Sequence, residues 1–295
     1  MNHTALRYFV EVADCRSIRQ AANRLHVAAS AISRQIANLE HELGAELIER
    51  GPSGIRLTAA GEVVAQHCRS TFREFQRIRS LVDDLKGLRR GQIDIFCVEG
   101  LVVEFLPRVL GAFHGENPGI DYRVVTAPTD RIVEAIVKDE CDFGITINAI
   151  ARPDIKTVAS RIDTLEVVIA PGHPLAERAS ITVEEAAAYP MALLQPSFGA
   201  RQFMDAQFAR RGLAPRELMT SNSVVALKAM VQHGGALTFM SPMFIGDELS
   251  RGVLCARPVT PEPLGPYRLE VQAHRDRRLP FAAHALLSHL ERALN

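Results

Sequence analysis

Residues 17–44 read SIRQAANRLHVAASAISRQIANLEHELG. The stretch predicts two amphipathic helices joined by a tight turn, the second longer than the first. Ile18, Ala21, Ala22 and Leu25 fall at i, i+3, i+4 and i+7, one face of a 3.6-residue helix. Ile32, Ile36, Leu39 and Leu43 then repeat at alternating four- and three-residue steps. The opposite face of the second helix carries Ser30, Ser33, Arg34, Ala37 and His41. One side is core; the other is small and polar, with one arginine near the N-terminal end. A helix-turn-helix that lays its second helix in the DNA major groove has this layout. Small residues admit the duplex, and serine and arginine supply donors to bases and phosphates. An ordinary helical hairpin inside a bundle shows the same periodicity, so pattern alone leaves both readings open.

Upstream, residues 4–14 predict an opening helix with Leu6, Phe9, Val10 and Ala13 as its apolar stripe. Ser17 and Gln20 are spaced as a capping box. Downstream, residues 49–57 (ERGPSGIRL) predict a hairpin whose turn uses Gly51, Pro52, Ser53 and Gly54, with Arg50 and Arg56 on its flanks. Thr58 caps a helix running to about residue 88. On it Val64, Cys68, Thr71, Phe75, Ile78, Val82 and Leu85 alternate steps of four and three. That 3.5-residue seam marks helices packed as a coiled-coil-like pair. The seam predicts self-association, packing on the chain's own domains being the competing use. Gly87, Arg89, Arg90 and Gly91 mark a hinge.

Beyond residue 91 strands and helices alternate. Strands are predicted at 93–98, 120–126 and 142–147, with helices at 105–115 and 129–140 between them. A second set begins near Asp163 and holds strands around 191–195, Leu218 and 236–241. YRLEVQAH and the closing helix PFAAHALLSHLERAL return to the first set. The alternation predicts an α/β domain built on a mainly parallel sheet.

The chain has 295 residues, 47% hydrophobic and 23% charged, with formal net charge +0. It is long enough for two or three domains with cores of their own. Neutrality points to no global nucleic-acid field, but a local basic surface can be balanced elsewhere. Cys15, Cys68, Cys97, Cys141 and Cys255 show no CxxC spacing, so reduced thiols are expected. No signal-peptide pattern and no membrane-length apolar run is found, from which the expected location is cytoplasmic.

The N-terminal wording is more specific than its periodicity. LRYFV (6–10), AANRLHV (21–27), SAISRQIANLEHELG (30–44), ELIER (46–50) and RLTAAG (56–61) closely resemble the DNA-binding domain of LysR-type transcriptional regulators. The resemblance is dense over residues 4–62 and looser beyond. It implies a winged helix-turn-helix over 1–60 and a dimerisation linker helix over 58–89. It also implies a two-lobed α/β effector domain like the periplasmic binding proteins, with lobe I at 91–162 plus 265–295 and lobe II at 163–264. Expected DNA-binding residues are Ser17, Ala29, Ser30, Ser33, Arg34 and, on the wing, Arg50 and Arg56. Arg34 fits a base contact and a phosphate clamp equally. Many relatives carry a serine or threonine, then Gln-Pro or Gln-Ser, where Ala28, Ala29 and Ser30 stand here. Ala28 cannot cap through its side chain, so Ser30 is expected to cap a shortened first turn. Ala29 lacks a glutamine's adenine contact, which shifts readout to its thymine-methyl contact, to Ser30, Ser33 and Arg34, and to DNA shape. Dimer-helix residues are Val64, Cys68, Phe75, Ile78 and Val82.

In such a two-lobed domain a ligand sits beyond the C-terminal ends of the strands. The expected ligand residues are Gly100, Leu101, Thr126, Thr129, Thr146, Asn148, Ser197, Phe198, Ser223, Phe239 and Met240. Each hydroxyl is equally suited to helix capping. Glu99, Gly100 and Leu101 stand where relatives often carry serine or threonine, which favours an apolar or aromatic effector over a carboxylate. His173, before a proline, reads as a turn residue without metal partners. No zincin, nucleophile-elbow or phosphate-loop motif appears. No cysteine pair occurs in lobe II for disulfide sensing. The reading is therefore a non-enzymatic, sequence-specific regulator without cofactor or metal. Its expected partners are double-stranded promoter DNA, a small-molecule effector, further copies of itself as dimer or tetramer, and RNA polymerase when it activates. A cytoplasmic small-molecule binding protein, or an enzyme on the two-lobed fold, is the alternative.

Overall fold

The computed structural model describes residues 3–51, 54–85 and 90–294. The chain divides into two compact units. The first runs to Arg79 and takes in Lys138–Glu140; the second holds Ser80–Val137 and everything from Cys141 onward.

The first unit is built from α1 (His3–Cys15), α2 (Ile18–Leu25), α3 (Ala29–Leu43), the hairpin β1 (Ile48–Gly51) and β2 (Gly54–Leu57), and α4 (Ala59–Leu85), which continues past the unit boundary. Ala21 and Ala22 of α2 meet Ile32, Ile36 and Leu39 of α3 in one core with Phe9, Val12, Leu47, Ile48 and Ile55. The buried face of α1 is Ala5, Phe9 and Val12, not the expected stripe of Leu6, Phe9, Val10 and Ala13. Because α1 packs on both α2 and α3, its buried line runs between the two. Leu43 is 40% exposed, a second departure. Gly44 takes a left-handed φ of 66° and ends α3 there, so the core resumes only at Leu47.

Caps explain the other boundaries. The Ser17 hydroxyl accepts from the Gln20 N–H at 3.3 Å, the first half of the expected box. His26 closes α2 in the left-handed region, and the Val27 N–H donates back to the Ala22 carbonyl at 3.0 Å. Thr58 accepts from the Gly61 N–H at 2.9 Å and donates to the Glu46 carbonyl at 2.6 Å, capping α4 as expected. The first turn of α3 is not shortened. Ala28 is its N-cap, in extended conformation and with no side-chain bond, and Ser30 lies inside the first turn. The stripe on α4 splits. Cys68 is buried and Val64 packs half-buried on the unit's own core, whereas Phe75, Ile78 and Val82 are exposed. Pro52, Ser53 and the hinge residues Gly87 and Arg89, with the expected helix end near 88, lie outside the described residues, as does the side chain of Leu85.

The second unit opens with β3 (Gly91–Cys97), a single turn α5 (Glu99–Val102), α6 (Phe105–Glu116), β4 (Ile120–Thr126), α7 (Thr129–Val137) and β5 (Phe143–Ile147). β6 (Ile155–Ile169) leads into β7 (Ile181–Thr182), α8 (Val183–Ala187), β8 (Met191–Leu194), α9 (Gly199–Arg210), β9 (Glu217–Ser221), α10 (Val224–Gly234) and β10 (Thr238–Met240). A 3-10 turn, α11 (Gly246–Ser250), β11 (Cys255–Arg257), β12 (Val259–Thr260), β13 (Leu264–His274) and α12 (Phe281–Leu294) complete it.

The main sheet runs β10-β6-β13-β5-β3-β4, with β11 also on β6. It is mixed, not mainly parallel. β3 pairs in parallel with β4 and β5, whereas β13 is antiparallel to both β5 and β6. The cause is β6, a 15-residue strand that starts among the first set of strands and runs on into the second. The strand expected to start near Asp163 is its second half. Around the far half of β6 a smaller lobe forms, with β8 parallel to β9 and β7 parallel to β12. Parallel pairs in each lobe bring strand C-terminal ends, and the helix N-termini that follow, toward one cleft.

Candidate functional site

The first candidate surface is the outer face of α3. Burying Ile32, Ile36 and Leu39 turns Ser30, Arg34, Ala37, Asn38 and His41 to solvent, with Ala29 exposed at the helix start and Ser33 half-buried at its edge. Asn38 completes the exposed stripe and is not among the contacts expected from sequence, although its position one turn beyond Arg34 places it there. The Ala28 carbonyl accepts from Ala31 and Ile32, and no side chain caps the turn. The first amides of α3 are thus left for an external acceptor, at the positive end of the helix dipole. Ser17 starts α2 and is half-buried by its capping role.

The hairpin is held against the helices at three points. The Glu40 carboxylate accepts from the Leu47 and Ile48 N–H groups at 2.8 and 3.2 Å. The Ile55 N–H donates to the Arg16 carbonyl at 3.0 Å. A Cβ on Gly61 would come within 2.0 Å of the Leu47 carbonyl, so α4 starts hard against the strand's root. Register places Arg50 opposite Ile55 and Arg56 opposite Glu49. Directly opposed residues share a face, so the two exposed arginines point to opposite sides of the ribbon. Arg56 shares its side with Glu49; Arg50 does not.

The second candidate site is the cleft of the α/β unit, a cavity of about 400 Å³. Glu99, Thr126, Ala127 and Pro128 line it from one lobe, and Gln195, Ser197, Phe198, Asn222 and Ser223 from the other. Every one lies at or just beyond the C-terminal end of a strand. Thr126, Ser197, Phe198 and Ser223 are among the residues expected here; the remaining expected residues have other work. Gly100 is buried where a Cβ would meet the Phe244 ring at 2.6 Å, and Leu101 is fully buried. The Thr129 hydroxyl donates to the Ile147 carbonyl and accepts from its N–H. Thr146 is buried and donates to the Glu270 carbonyl at 3.4 Å. The Asn148 Oδ1 accepts from the Arg268 N–H at 2.8 Å. Phe239 and Met240 wall a separate apolar hollow of about 30 Å³, room for one water.

Glu99 is the feature that sequence spacing does not assign. Its Oε1 accepts from the Ser223 hydroxyl at 2.9 Å and its Oε2 from the Val224 N–H at 2.8 Å. The carboxylate of one lobe therefore sits on the N-terminus of α10 in the other. Ser223 also accepts from the Ala226 N–H at 3.3 Å, so capping and cleft lining coincide in one residue.

A second cross-lobe cluster lies one turn further along α10. Buried Lys228 donates to Glu248 at 2.5 Å and to the Phe244 carbonyl at 3.2 Å, with Glu104 at 3.8 Å. Burial raises the Glu104 carboxyl above its ordinary value. Burial pulls Glu248 the same way, but the Lys228 ammonium outweighs it and holds Glu248 below the usual range. The Glu248 carboxyl beside it pushes Glu104 further the same way. His173 accepts from the Leu175 N–H at 3.2 Å and lies against the Tyr189 ring, and burial lowers its pKa. Among the described residues, no group of three His, Cys, Asp or Glu side chains is placed to hold a metal, and no helix is long and apolar enough to cross a membrane.

Comparison with known proteins matches two successive stretches of the chain. Residues 3–62 match the bacterial regulatory helix-turn-helix protein domain of the lysR family, and residues 86–295 match the LysR substrate binding domain. The RuBisCO operon transcriptional regulator of Allochromatium vinosum is 29% identical over 244 residues, 83% of this chain and 80% of that protein. The fold is similar to a full-length, singly substituted OxyR from Pseudomonas aeruginosa, with a TM-score of 0.74 at 22% identity over 100% of this chain and 94% of that one. It is also similar to full-length CbnR complexed with its target DNA, with a TM-score of 0.72 at 21% identity over 99% and 100% of the two chains.

Proposed function

The chain belongs to the LysR family of DNA-binding transcriptional regulators, and on that basis we propose that it works in the cytoplasm as an effector-controlled dimer or tetramer on promoter DNA. The observation that carries this reading is the uncapped, small and polar outer face of α3 over its fully buried inner stripe. In this reading α3 enters the major groove, with Arg34 and Ser30 at base edges or phosphates and the first-turn amides on a phosphate. Arg50, free of Glu49's side of the ribbon, makes the stronger wing contact to the backbone or minor groove; Arg56 makes the weaker. The exposed apolar stripe of α4 joins two copies and so fixes the spacing of two half-sites. A small molecule in the cleft biases one assembly state over another, which requires different affinity for the two. RNA polymerase is the partner when the outcome is activation. The protein carries out no reaction of its own.

The test is a footprint on the DNA upstream of the protein's own gene at two salt concentrations. A protected, partly palindromic site that weakens steeply with salt supports the reading. Coverage without sequence limits, or none at either salt, refutes it. Arg34→Ala is expected to weaken operator binding about tenfold to a hundredfold while the oligomer stays intact. Undiminished affinity by fluorescence anisotropy would remove Arg34 from the interface. Ser197→Trp, at an exposed position lining the cleft, is expected to abolish the effector-dependent change in footprint while operator affinity stays the same. A normal response would move the effector elsewhere.

A further inference from the structure

Glu99 is the charged residue among those lining the 400 Å³ cavity; its other lining side chains are hydroxyls, amides, one aromatic ring and small apolar groups. Both carboxylate oxygens are already bound by α10, one by the Ser223 hydroxyl and one by the Val224 N–H. The positive end of that helix thus holds an anion supplied by the chain itself. A free carboxylate entering the cavity would meet Glu99 as a like charge, with no lysine, arginine or histidine among the lining residues to offset it. Each Glu99 oxygen accepts one hydrogen bond and has a further lone pair.

We propose that the cleft selects a small organic molecule bearing a protonated amine, which donates to the free lone pairs of Glu99 and lies along the Phe198 ring. This rests on the cleft being the effector site. The choice is directional: Glu99 is both the counter-ion for the ligand and the tie between the lobes. A ligand ammonium that draws on the carboxylate weakens its hold on the Ser223 hydroxyl and the Val224 N–H, so occupancy is felt at α10. An aromatic ring suits a cation as well as an apolar ligand.

Benzylamine, benzyl alcohol and benzoate form a matched set: one ring, with charge +1, 0 and −1 near neutral pH. Titrated calorimetrically into the full-length protein, benzylamine is expected to bind at least tenfold more tightly than benzoate, with benzyl alcohol between. Glu99→Gln keeps the side-chain shape and removes the charge, and is expected to erase the preference. Glu99→Ala vacates the N-terminus of α10 and is expected to bind benzoate tenfold more tightly than the wild type does. A wild type that takes benzoate as well as benzylamine, or takes neither, overturns the proposal, as does a preference unchanged in Glu99→Gln. The footprint separates this from the effector reading. Benzylamine binding that is lost in both Ser197→Trp and Glu99→Gln but leaves the wild-type footprint unchanged overturns the cleft as effector site and leaves the charge selection standing. Binding indifferent to both substitutions overturns both.

Discussion

Lys228→Met is expected to lower the stability of the α/β unit by about 3–5 kcal/mol, the usual cost of removing one partner from a buried ion pair. The ammonium is buried on the inner face of α10, whose other inward residues are Val224, Leu227 and Val231. Methionine fills the same length, so little packing is lost, and the penalty comes from what is left behind. Glu248 loses its 2.5 Å partner and still faces Glu104, so two carboxyls are left together in a poorly solvated site without their cation. The pH dependence follows from the directions of the shifts. Glu248 is depressed when folded, so its contribution is present above the ordinary carboxylate range and is lost as pH falls through its folded value. Glu104 is raised, so its contribution runs the other way: present at low pH and lost as pH rises through its folded value. Removing Lys228 takes away the favourable bond that held Glu248 down, and both carboxyls then behave as raised acids. The destabilisation should be largest near pH 7.5 and smaller near pH 4, as acidification protonates the carboxyls left without their cation. Urea unfolding of the full chain at the two pH values measures this. A loss under about 1 kcal/mol at pH 7.5, or one that grows on acidification, would show that the ion pair is not what holds α10 to α11.

Lys228 also shows where sequence reading stops. Its position is legible: Val224, Leu227, Lys228 and Val231 fall at i, i+3, i+4 and i+7, so a lysine occupies an inward slot. Its partners are not, because Glu104 and Glu248 come from separate segments that only the tertiary fold brings together. The same holds for Glu99, since its partners on α10 lie far along the chain. Helix starts are readable nearly to the residue wherever an apolar stripe meets a capping residue, as at Thr58 and Ser223. The sequence pattern halves β6 because residues 155–162 bury only Ile155 and Ala159 and hold no strong apolar run, and only the part after Asp163 reads as a buried strand. In the cleft the strand ends are legible, but the side-chain period of two decides which residue at each end faces inward. Thr126 and Ser197 line the cavity, while Thr129, Thr146, Phe239 and Met240 serve the packing around it. On α3 the periodicity matches the core as far as Leu39. Leu43 departs from it because the turn at Gly44 ends the helix before the stripe is covered.

Phe75→Glu and Ile78→Glu are each expected to convert the protein to a monomer and to weaken operator binding about 10²–10⁴-fold. Phe75, Ile78 and Val82 are 57%, 48% and 42% exposed in the single chain and sit at steps of three and four on α4. Covering such side chains contributes roughly 1.5–3 kcal/mol each when burial is complete. A symmetric helix pair counts every residue twice, so a carboxylate at either position meets its own copy across the seam. The fold should survive, since these side chains are not part of the first unit's core; the Phe75 ring lies 6.1 Å from that of His3, a contact at the surface. The effect on DNA is large because the single module is electrostatically weak. Residues 3–62 hold seven arginines against seven aspartates and glutamates. With no net positive field, a lone helix-turn-helix has little long-range pull on DNA, and affinity depends on two modules held at a fixed distance. Val64 and Cys68, on the same nominal stripe, are occupied by their own unit, so Val64→Glu should unfold the first unit instead of dissociating the pair. Sedimentation equilibrium of the three variants separates the cases. An unchanged mass for Phe75→Glu and Ile78→Glu would show that the exposed seam is not where copies meet, and the half-site spacing would then have to be set by another surface.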